Sequence, residues 1–291
     1  MGLWLATRGT GSVKILTTPG ICEGGWGFGC GSLGVWGLLV ETPDEIEKSA
    51  LIEARGRLEE FFDETVDDAP DDVEFLAVLG NPIDELLAES DKFDDPILVA
   101  GTRGASRLQE LFLGNTARRL VRRSEVPVIL VPPQAEVEMP ERLVVGIDFS
   151  APSRAALRRA AKMARTYGAT VHAVYGYVLP EIATFDGAVA NAPQDFEEVI
   201  EEKRRRLEEI VREEGVDDVV TEVSAVQRPP AAALMEAATD DGAQFLFVGS
   251  HGRRGFKRFF LGNTAERVMR KSPCAIFIDQ ATEEDREAAK K

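Results

Sequence analysis

Ile97–Val131 reads ILVAGTRGASRLQELFLGNTARRLVRRSEVPVILV, and Phe245–Asp279 reads FLFVGSHGRRGFKRFFLGNTAERVMRKSPCAIFID. The two stretches align without a gap at an offset of 148 residues, with 12 of 35 positions identical, including the block Phe-Leu-Gly-Asn-Thr-Ala. Self-similarity at a spacing close to the size of an ordinary domain points to two homologous domains in tandem within the 291 residues.

Outward from these stretches each copy shows the same alternation. In the second, Arg142–Phe149 (RLVVGIDF) is a short apolar run expected to be a buried strand. Pro152–Tyr167 carries Ala156, Leu157, Ala160, Ala161 and Ala164 at helical spacing, with a proline suited to a first turn. Thr170–Tyr175 reads as a strand, Asp195–Glu214 as a long charged helix, Asp218–Val226 as a strand and Pro230–Ala238 as a helix. Strand Phe245–Val248, helix Asn263–Lys271 and strand Cys274–Ile278 complete the copy. The first copy offers helix Pro43–Phe62, strand Val73–Val78, helix Ile83–Glu89, strand Ile97–Ala100, helix Asn115–Arg123 and strand Val126–Val131. Such alternation predicts α/β domains, each a doubly wound parallel sheet. Expected limits are 41–131 for the first copy, 132–140 for a linker held out of regular structure by Pro132, Pro133 and Pro140, 141–281 for the second copy, and a charged tail at 282–291.

The candidate site follows from the glycines. In the second copy a strand runs into Gly249-Ser250-His251-Gly252, and Gly262-Asn263-Thr264 then opens a helix. Open parallel sheets bind ligands beyond the carboxyl ends of their strands. Glycine there lets backbone N–H groups approach phosphate oxygens, and a helix amino terminus adds unpaired N–H groups and the positive end of a dipole. Asn263 and Thr264 are expected to add polar groups at the helix cap. Gly101, Gly104, Gly114, Asn115 and Thr116 stand at the equivalent places of the first copy. Gly249–Lys271 carries a net charge of +6 and Gly101–Arg123 a net of +5, within a chain whose formal charge is −16. Cations near a helix carboxyl terminus account for Arg267, Arg270 and Lys271, but not for Arg253, Arg254, Lys257 and Arg258.

The spacing Gly-x2-Gly-x9-Gly, followed by a small polar residue, resembles the nucleotide-binding signature of the universal stress protein family. It occurs as Gly249, Gly252 and Gly262, and again as Gly101, Gly104 and Gly114. Asn at 115 and 263 stands where the family usually has Ser or Thr. The resemblance covers Glu41–Ala281 and implies Rossmann-like, adenine-nucleotide alpha-hydrolase-like domains that pair through their last strands as an internal pseudo-dimer, Val126–Val131 beside Cys274–Ile278. It also implies an adenine-nucleotide ligand, ATP or else AMP or ADP, with or without Mg2+. On the same comparison Asp148, after the first strand of the second copy, contacts the adenosine part, and Gly176, after the second strand, lies near the base. A turn residue bonded to local N–H groups is the other reading of Asp148. The first copy lacks a matching Asp, so nucleotide is expected mainly in the second. The resemblance implies a stress-response or regulatory role; a ligand-free interaction scaffold and a weak ATP-hydrolysing enzyme are the alternatives. A P-loop Lys-Ser/Thr and paired carboxylates near the glycines are both missing from the sequence, so no catalytic residue is expected. His251 lacks an evident partner, and His172 reads as structural.

Composition limits the classes. Fifty acidic against 34 basic side chains argue against a protein that coats nucleic acid or anionic membrane. An acidic surface poor in Lys matches the solubility strategy of halophilic archaea. Cys22, Cys30 and Cys274 form neither a disulfide framework nor zinc spacing, and two histidines exclude a His-rich metal site. The expected compartment is the cytoplasm, with an unknown signalling partner and pairing into a homo-oligomer left open.

Residues 1–40 stand apart. They hold 11 of the 26 glycines and all three tryptophans, and Gly24–Val40 is uncharged. Three origins fit: a foreign or misread beginning, a divergent strand–helix segment, or a targeting or membrane-associated piece. The abrupt return to acidic helical sequence at Glu41 favours the first. Seven glycines in Gly24–Val40 argue against a membrane span.

Overall fold

The computed structural model describes residues 2–6, 13–17, 43–66, 73–102, 114–135, 139–178, 196–250 and 261–280. The chain divides into two compact units, Met1–Pro96 and Ile97–Lys291.

In the first unit, strands β1 (Gly2–Ala6), β2 (Val13–Thr17) and β3 (Val73–Ala77) accompany helices α1 (Pro43–Thr65) and α2 (Pro82–Ser90). β2 pairs in parallel with β3, but β1 runs antiparallel to β2, from Gly2 opposite Thr17 to Ala6 opposite Val13. This departs from the all-parallel expectation. Parallel neighbours need a crossover of about a dozen residues or more, whereas residues 7–12 are all that separate the two strands. A strand–helix opening is therefore absent at this point, and a two-stranded antiparallel pair replaces it. Gly24–Val40 lies outside the described residues. α1 packs Leu58 and Phe62 against β3, where the Phe62 and Phe75 rings meet edge to face at 5.2 Å. α2 starts where the Asn81 side chain accepts a hydrogen bond from the Ile83 N–H at 3.0 Å, with Asp84 and Glu85 favourably placed in its first turn.

The second unit contains β4 (Ile97–Gly101), α3 (Asn115–Arg123), β5 (Val128–Val131), β6 (Arg142–Gly146), α4 (Ala151–Tyr167), β7 (Thr170–Gly176) and α5 (Phe196–Glu213). It continues with β8 (Val220–Val226), α6 (Pro230–Asp240), β9 (Phe245–Gly249), α7 (Asn263–Lys271) and β10 (Ala275–Asp279). Its strands lie in the order β4-β5-β10-β9-β6-β7-β8. All of these neighbours are parallel except β5 and β10, which run antiparallel. The last strands of the two copies are thus joined, which draws β4, α3 and β5 of the first copy into the second unit.

The register at that join is centred on equivalent positions, Ile129 opposite Phe277, 148 residues apart. Isologous contacts pair a residue with its own counterpart only at the two-fold axis. Arg118 and Glu266 are also counterparts, and their side chains meet at 3.7 Å. A homodimer would place identical charges there; the tandem chain places opposite ones. Reciprocal bonds flank the join: Gln134 donates to the Ser272 carbonyl at 2.8 Å, and Gln280 to the Val121 carbonyl at 2.9 Å.

Helix α4 illustrates how local sequence builds the core. Ser150 caps its start and Gly168 ends it in the left-handed conformation at φ 75°, the usual glycine solution to a helix carboxyl terminus. Ala156, Ala160, Ala161 and Ala164 are fully buried, and such small side chains let α4 lie close on the sheet. Leu207, Ile210 and Val211 of α5 fill the same core with Leu143, Val145, Phe247 and Phe277. The carboxyl end of α5 and the residue after it also bridge to α4, through Arg154 to Glu213 and Glu214 and through Arg158 to Glu214.

Candidate functional site

Within the second copy the chain passes from β6 outward to β7 and β8, then returns to the other side of β6 to form β9. A crevice opens where two neighbouring strands lead their connections in opposite directions, and ligands of open α/β sheets bind there. Here that switch point lies between the carboxyl ends of β6 and β9. Asp148 follows β6 and Ser250 follows β9, so the fold brings the two predicted halves of the site to one place.

Asp148 is half-buried in the turn between β6 and α4. Its Oδ1 accepts from the Ser150 N–H at 3.1 Å and from the Ser150 hydroxyl, while its own N–H donates to Ser153 Oγ at 3.3 Å. The turn-forming reading of this residue is therefore realised in the structure. Phe149 between them has φ 66°, an uncommon conformation for a residue with a Cβ. Strain of this type persists only when surroundings over-determine it. Here the Phe149 ring packs on Tyr175 at 4.6 Å, and Ser150 and Ser153 tie the following residues.

Gly249 and Gly176 have packing reasons that the sequence did not reveal. A Cβ at Gly249 would stand 2.7 Å from Pro152 Cβ and 2.8 Å from the Pro152 carbonyl carbon, because α4 begins directly against the end of β9. A Cβ at Gly176 would stand 2.8 Å from Pro230 Cα and 2.9 Å from Ala233 Cβ, at the start of α6. Both glycines permit helix–sheet approach, whatever else lies near them.

The loop after β9 is closed at its base by the Gly262 N–H donating to the Ser250 carbonyl at 2.9 Å. Gly252, His251 and the cations Arg253, Arg254, Lys257 and Arg258 lie between these points, outside the described residues. Gly262, not Asn263, is the N-cap of α7, and no side chain caps it. This corrects the expected capping role: exposed Asn263 is the first helical residue and half-buried Thr264 the second. The same correction holds for the first copy, where Gly114 caps α3 ahead of Asn115 and Thr116. A residue with helical φ and ψ is already past the position from which a side chain reaches back to the N2 or N3 amide. Two helix starts thus have first-turn N–H groups without a side-chain cap.

The two loops share their hydrogen bonds 148 residues apart. Thr102 N–H donates to the Val131 carbonyl at 3.0 Å and Gly114 N–H to the Thr102 carbonyl at 2.9 Å; Ser250 N–H donates to the Asp279 carbonyl at 2.9 Å. Gly101 ends β4 just before Thr102, whereas Gly104, Arg103 and Arg107 lie outside the described residues. The chain has no Asp or Glu before Glu23, so neither β1 nor β2 carries a counterpart of Asp148. One charged group of the second copy escaped the sequence reading. Asp279 ends β10 beside Gly249, and its buried carboxylate lies 3.4 Å from Arg159 Nε. The signal was present in the repeat, where Asp279 replaces Val131.

The sequence pattern of the universal stress protein family matches residues 35–132 and 139–278. The chain belongs to the universal stress protein family. A universal stress protein of Mycobacterium tuberculosis is 28% identical over 187 residues, covering 62% of this chain and 58% of the relative. One from Methanocaldococcus jannaschii is 26% identical over 143 residues, 47% of this chain and 81% of the relative. The match therefore spans less than two thirds of the mycobacterial protein. Among solved structures, a universal stress protein from Archaeoglobus fulgidus superposes with a TM-score of 0.58 at 22% identity, covering 84% of this chain and 85% of that one. A protein of Pseudomonas aeruginosa described as a putative universal stress protein gives 0.55 at 16% identity, over 96% and 97% of the chains. These likenesses establish the universal stress protein fold. No helix among the described residues is long and apolar enough to cross a membrane.

Proposed function

We propose that this universal stress protein is a non-catalytic adenine-nucleotide-binding module acting in stress response or regulation in the cytoplasm, with ATP, or else AMP or ADP, held mainly by the second copy. The observation that carries the reading is that Asp148 follows β6 while Ser250, bonded to Gly262 at the uncapped start of α7, follows the neighbouring parallel strand β9. A helix start without a side-chain cap suits phosphate oxygens, and a carboxylate on the neighbouring strand suits a ribose hydroxyl. Gly249, Gly252, Gly262, Asn263 and Thr264 form the phosphate side and Gly176 the base side; Mg2+ would accompany the phosphates. Gly101, Gly104, Gly114, Asn115 and Thr116 form a weaker second site, since neither β1 nor β2 carries a counterpart of Asp148. The acidic surface suits a salt-rich interior.

A ligand-free scaffold is favoured by one observation: Asp148 Oδ1 already accepts two bonds from Ser150. Equilibrium dialysis with labelled ATP separates the readings. One dominant site lost in Asp148→Ala supports the proposal. Two equal sites overturn the asymmetry, and an empty protein at millimolar ATP overturns nucleotide binding altogether.

A further inference from the structure

The amino ends of β7 and β8 carry a second group of polar side chains, at the opposite end of the strands from Asp148 and Ser250. His172 is the third residue of β7, and strand register sets it opposite Glu222 of β8. Its Nδ1 lies 2.7 Å from Asp241 Oδ2, at the carboxyl end of α6, and its Nε2 lies 2.8 Å from Ser224 Oγ. Glu222 Oε1 lies 3.5 Å from that same Nε2, and 3.5 Å from Ser224 Oγ. His172, Glu222 and Asp241 line one pocket of ≈ 220 Å³ together with Arg142, Thr170 and Thr221.

We propose that this pocket is a binding site for a divalent transition-metal ion of the Zn2+ class. The argument is geometric. Ligands bonded at about 2.1 Å to a tetrahedral ion stand about 3.4 Å apart along each edge. His172 Nε2, Glu222 Oε1 and Ser224 Oγ form a triangle with sides of 3.5, 3.5 and 2.8 Å; the two sides that meet at Glu222 Oε1 match that edge, and the third is the His172–Ser224 hydrogen bond, which a bound ion would replace and widen. A histidine that ligates a metal usually donates its other ring N–H to a carboxylate, which fixes tautomer and ring orientation. Asp241 occupies that place on Nδ1. Imidazole and carboxylate supply the ligands, Ser224 and water complete the shell, and the pocket has room for the water. Glu222 is 59% exposed, which lets its carboxylate close on the ion without moving the strand. Asp241 is a positioning residue in this arrangement, and Arg142, bonded to the Asp241 carbonyl at 3.1 Å, steadies the helix end that carries it.

The full chain is titrated with Zn2+ by calorimetry, and with Co2+ by visible absorption, which reports tetrahedral coordination. One site per chain is expected. Glu222→Gln removes it, and because this side chain is exposed the variant keeps the fold. Asp241→Asn weakens Zn2+ binding roughly 10- to 100-fold without changing its stoichiometry, the usual effect of losing the carboxylate behind a ligating histidine. His172→Ala also abolishes the site, with circular dichroism confirming the fold. Asp148→Ala retains full Zn2+ binding, which separates this site from the nucleotide crevice. Absence of Zn2+ binding at millimolar concentration overturns the proposal. So does binding that Glu222→Gln leaves unchanged, which would place the ion elsewhere on the acidic surface.

Discussion

Gly249→Ala tests why the signature glycine is there. The added methyl carbon would meet Pro152 Cβ at 2.7 Å, the Pro152 carbonyl carbon at 2.8 Å and the Ser153 nitrogen at 3.0 Å. Ordinary contacts between carbon atoms lie at about 3.5–4.0 Å. Two of the three neighbours are backbone atoms in the first turn of α4, so relief requires α4 to move away from β9. Overpacking of this kind costs about 1–3 kcal/mol. A unit of this size loses roughly 2–4 °C in Tm per kcal/mol, so the expected fall is roughly 2–12 °C. Differential scanning calorimetry of the ligand-free protein measures it, and dialysis with labelled ATP is run in parallel. Because Ser153 bonds the Asp148 turn, nucleotide affinity falls along with stability. A ligand-free Tm within about 1 °C of the parent's, the calorimeter's repeatability and below the smallest fall derived above, would refute the packing argument. If affinity nevertheless collapsed, the glycine would serve ligand approach alone.

Phe277 is 2% exposed, stacks on Phe247 at 4.7 Å and sits at the centre of the β5–β10 join. Phe277→Ala should therefore cost about 3–5 kcal/mol in denaturant unfolding; a loss under 1 kcal/mol would mean that the join repacks freely. Burial pushes the Cys274 thiol up to about 11, so in a Cys22→Ser, Cys30→Ser background it should resist a thiol reagent at pH 8 until the protein unfolds. Fast labelling of the folded variant would contradict that burial. The hydrogen bond from Arg154 holds the Glu213 carboxyl below its ordinary 4.5, and Arg165 does the same for Asp218 below 3.8. Groups with lowered folded values contribute stability above the unfolded value and lose it as pH falls further. Arg154→Met and Arg165→Met should each flatten the loss of stability between about pH 5 and 3, read as Tm against pH. An unaltered slope in both would show that these pairs do not govern acid unfolding.

The repeat, the order of strands and helices, and the carboxyl-end placement of the glycine loops were legible before any coordinates. These are properties of local pattern: alternating apolar strands, alanines at helical spacing, and prolines and glycines at element ends. The family resemblance also made the pairing of the last strands an expectation, and the antiparallel β5–β10 register meets it. Other features belong to tertiary structure because they depend on what comes near in space. β1 turned antiparallel because six residues cannot carry a crossover, a constraint of connection length that composition does not display. The N-caps shifted to Gly114 and Gly262 because capping depends on backbone angles at one residue, which Asn and Gly can both adopt.

Residues separated by tens of positions carried the largest surprises. Sequence showed Gly249 and Gly176 as glycines, but only the fold revealed Pro152 and Pro230 standing where their Cβ atoms would be. Likewise His172 was a lone histidine in a strand until β8 and the end of α6 delivered Ser224, Glu222 and Asp241, 52, 50 and 69 residues away. What the sequence determined by itself was the framework, written in local periodicity and in a repeat, and the resemblance to a family, carried by the spacing of its glycines. What the tertiary structure decided was the partner of each side chain, because contacts between distant segments arise only when the sheet order brings those segments together.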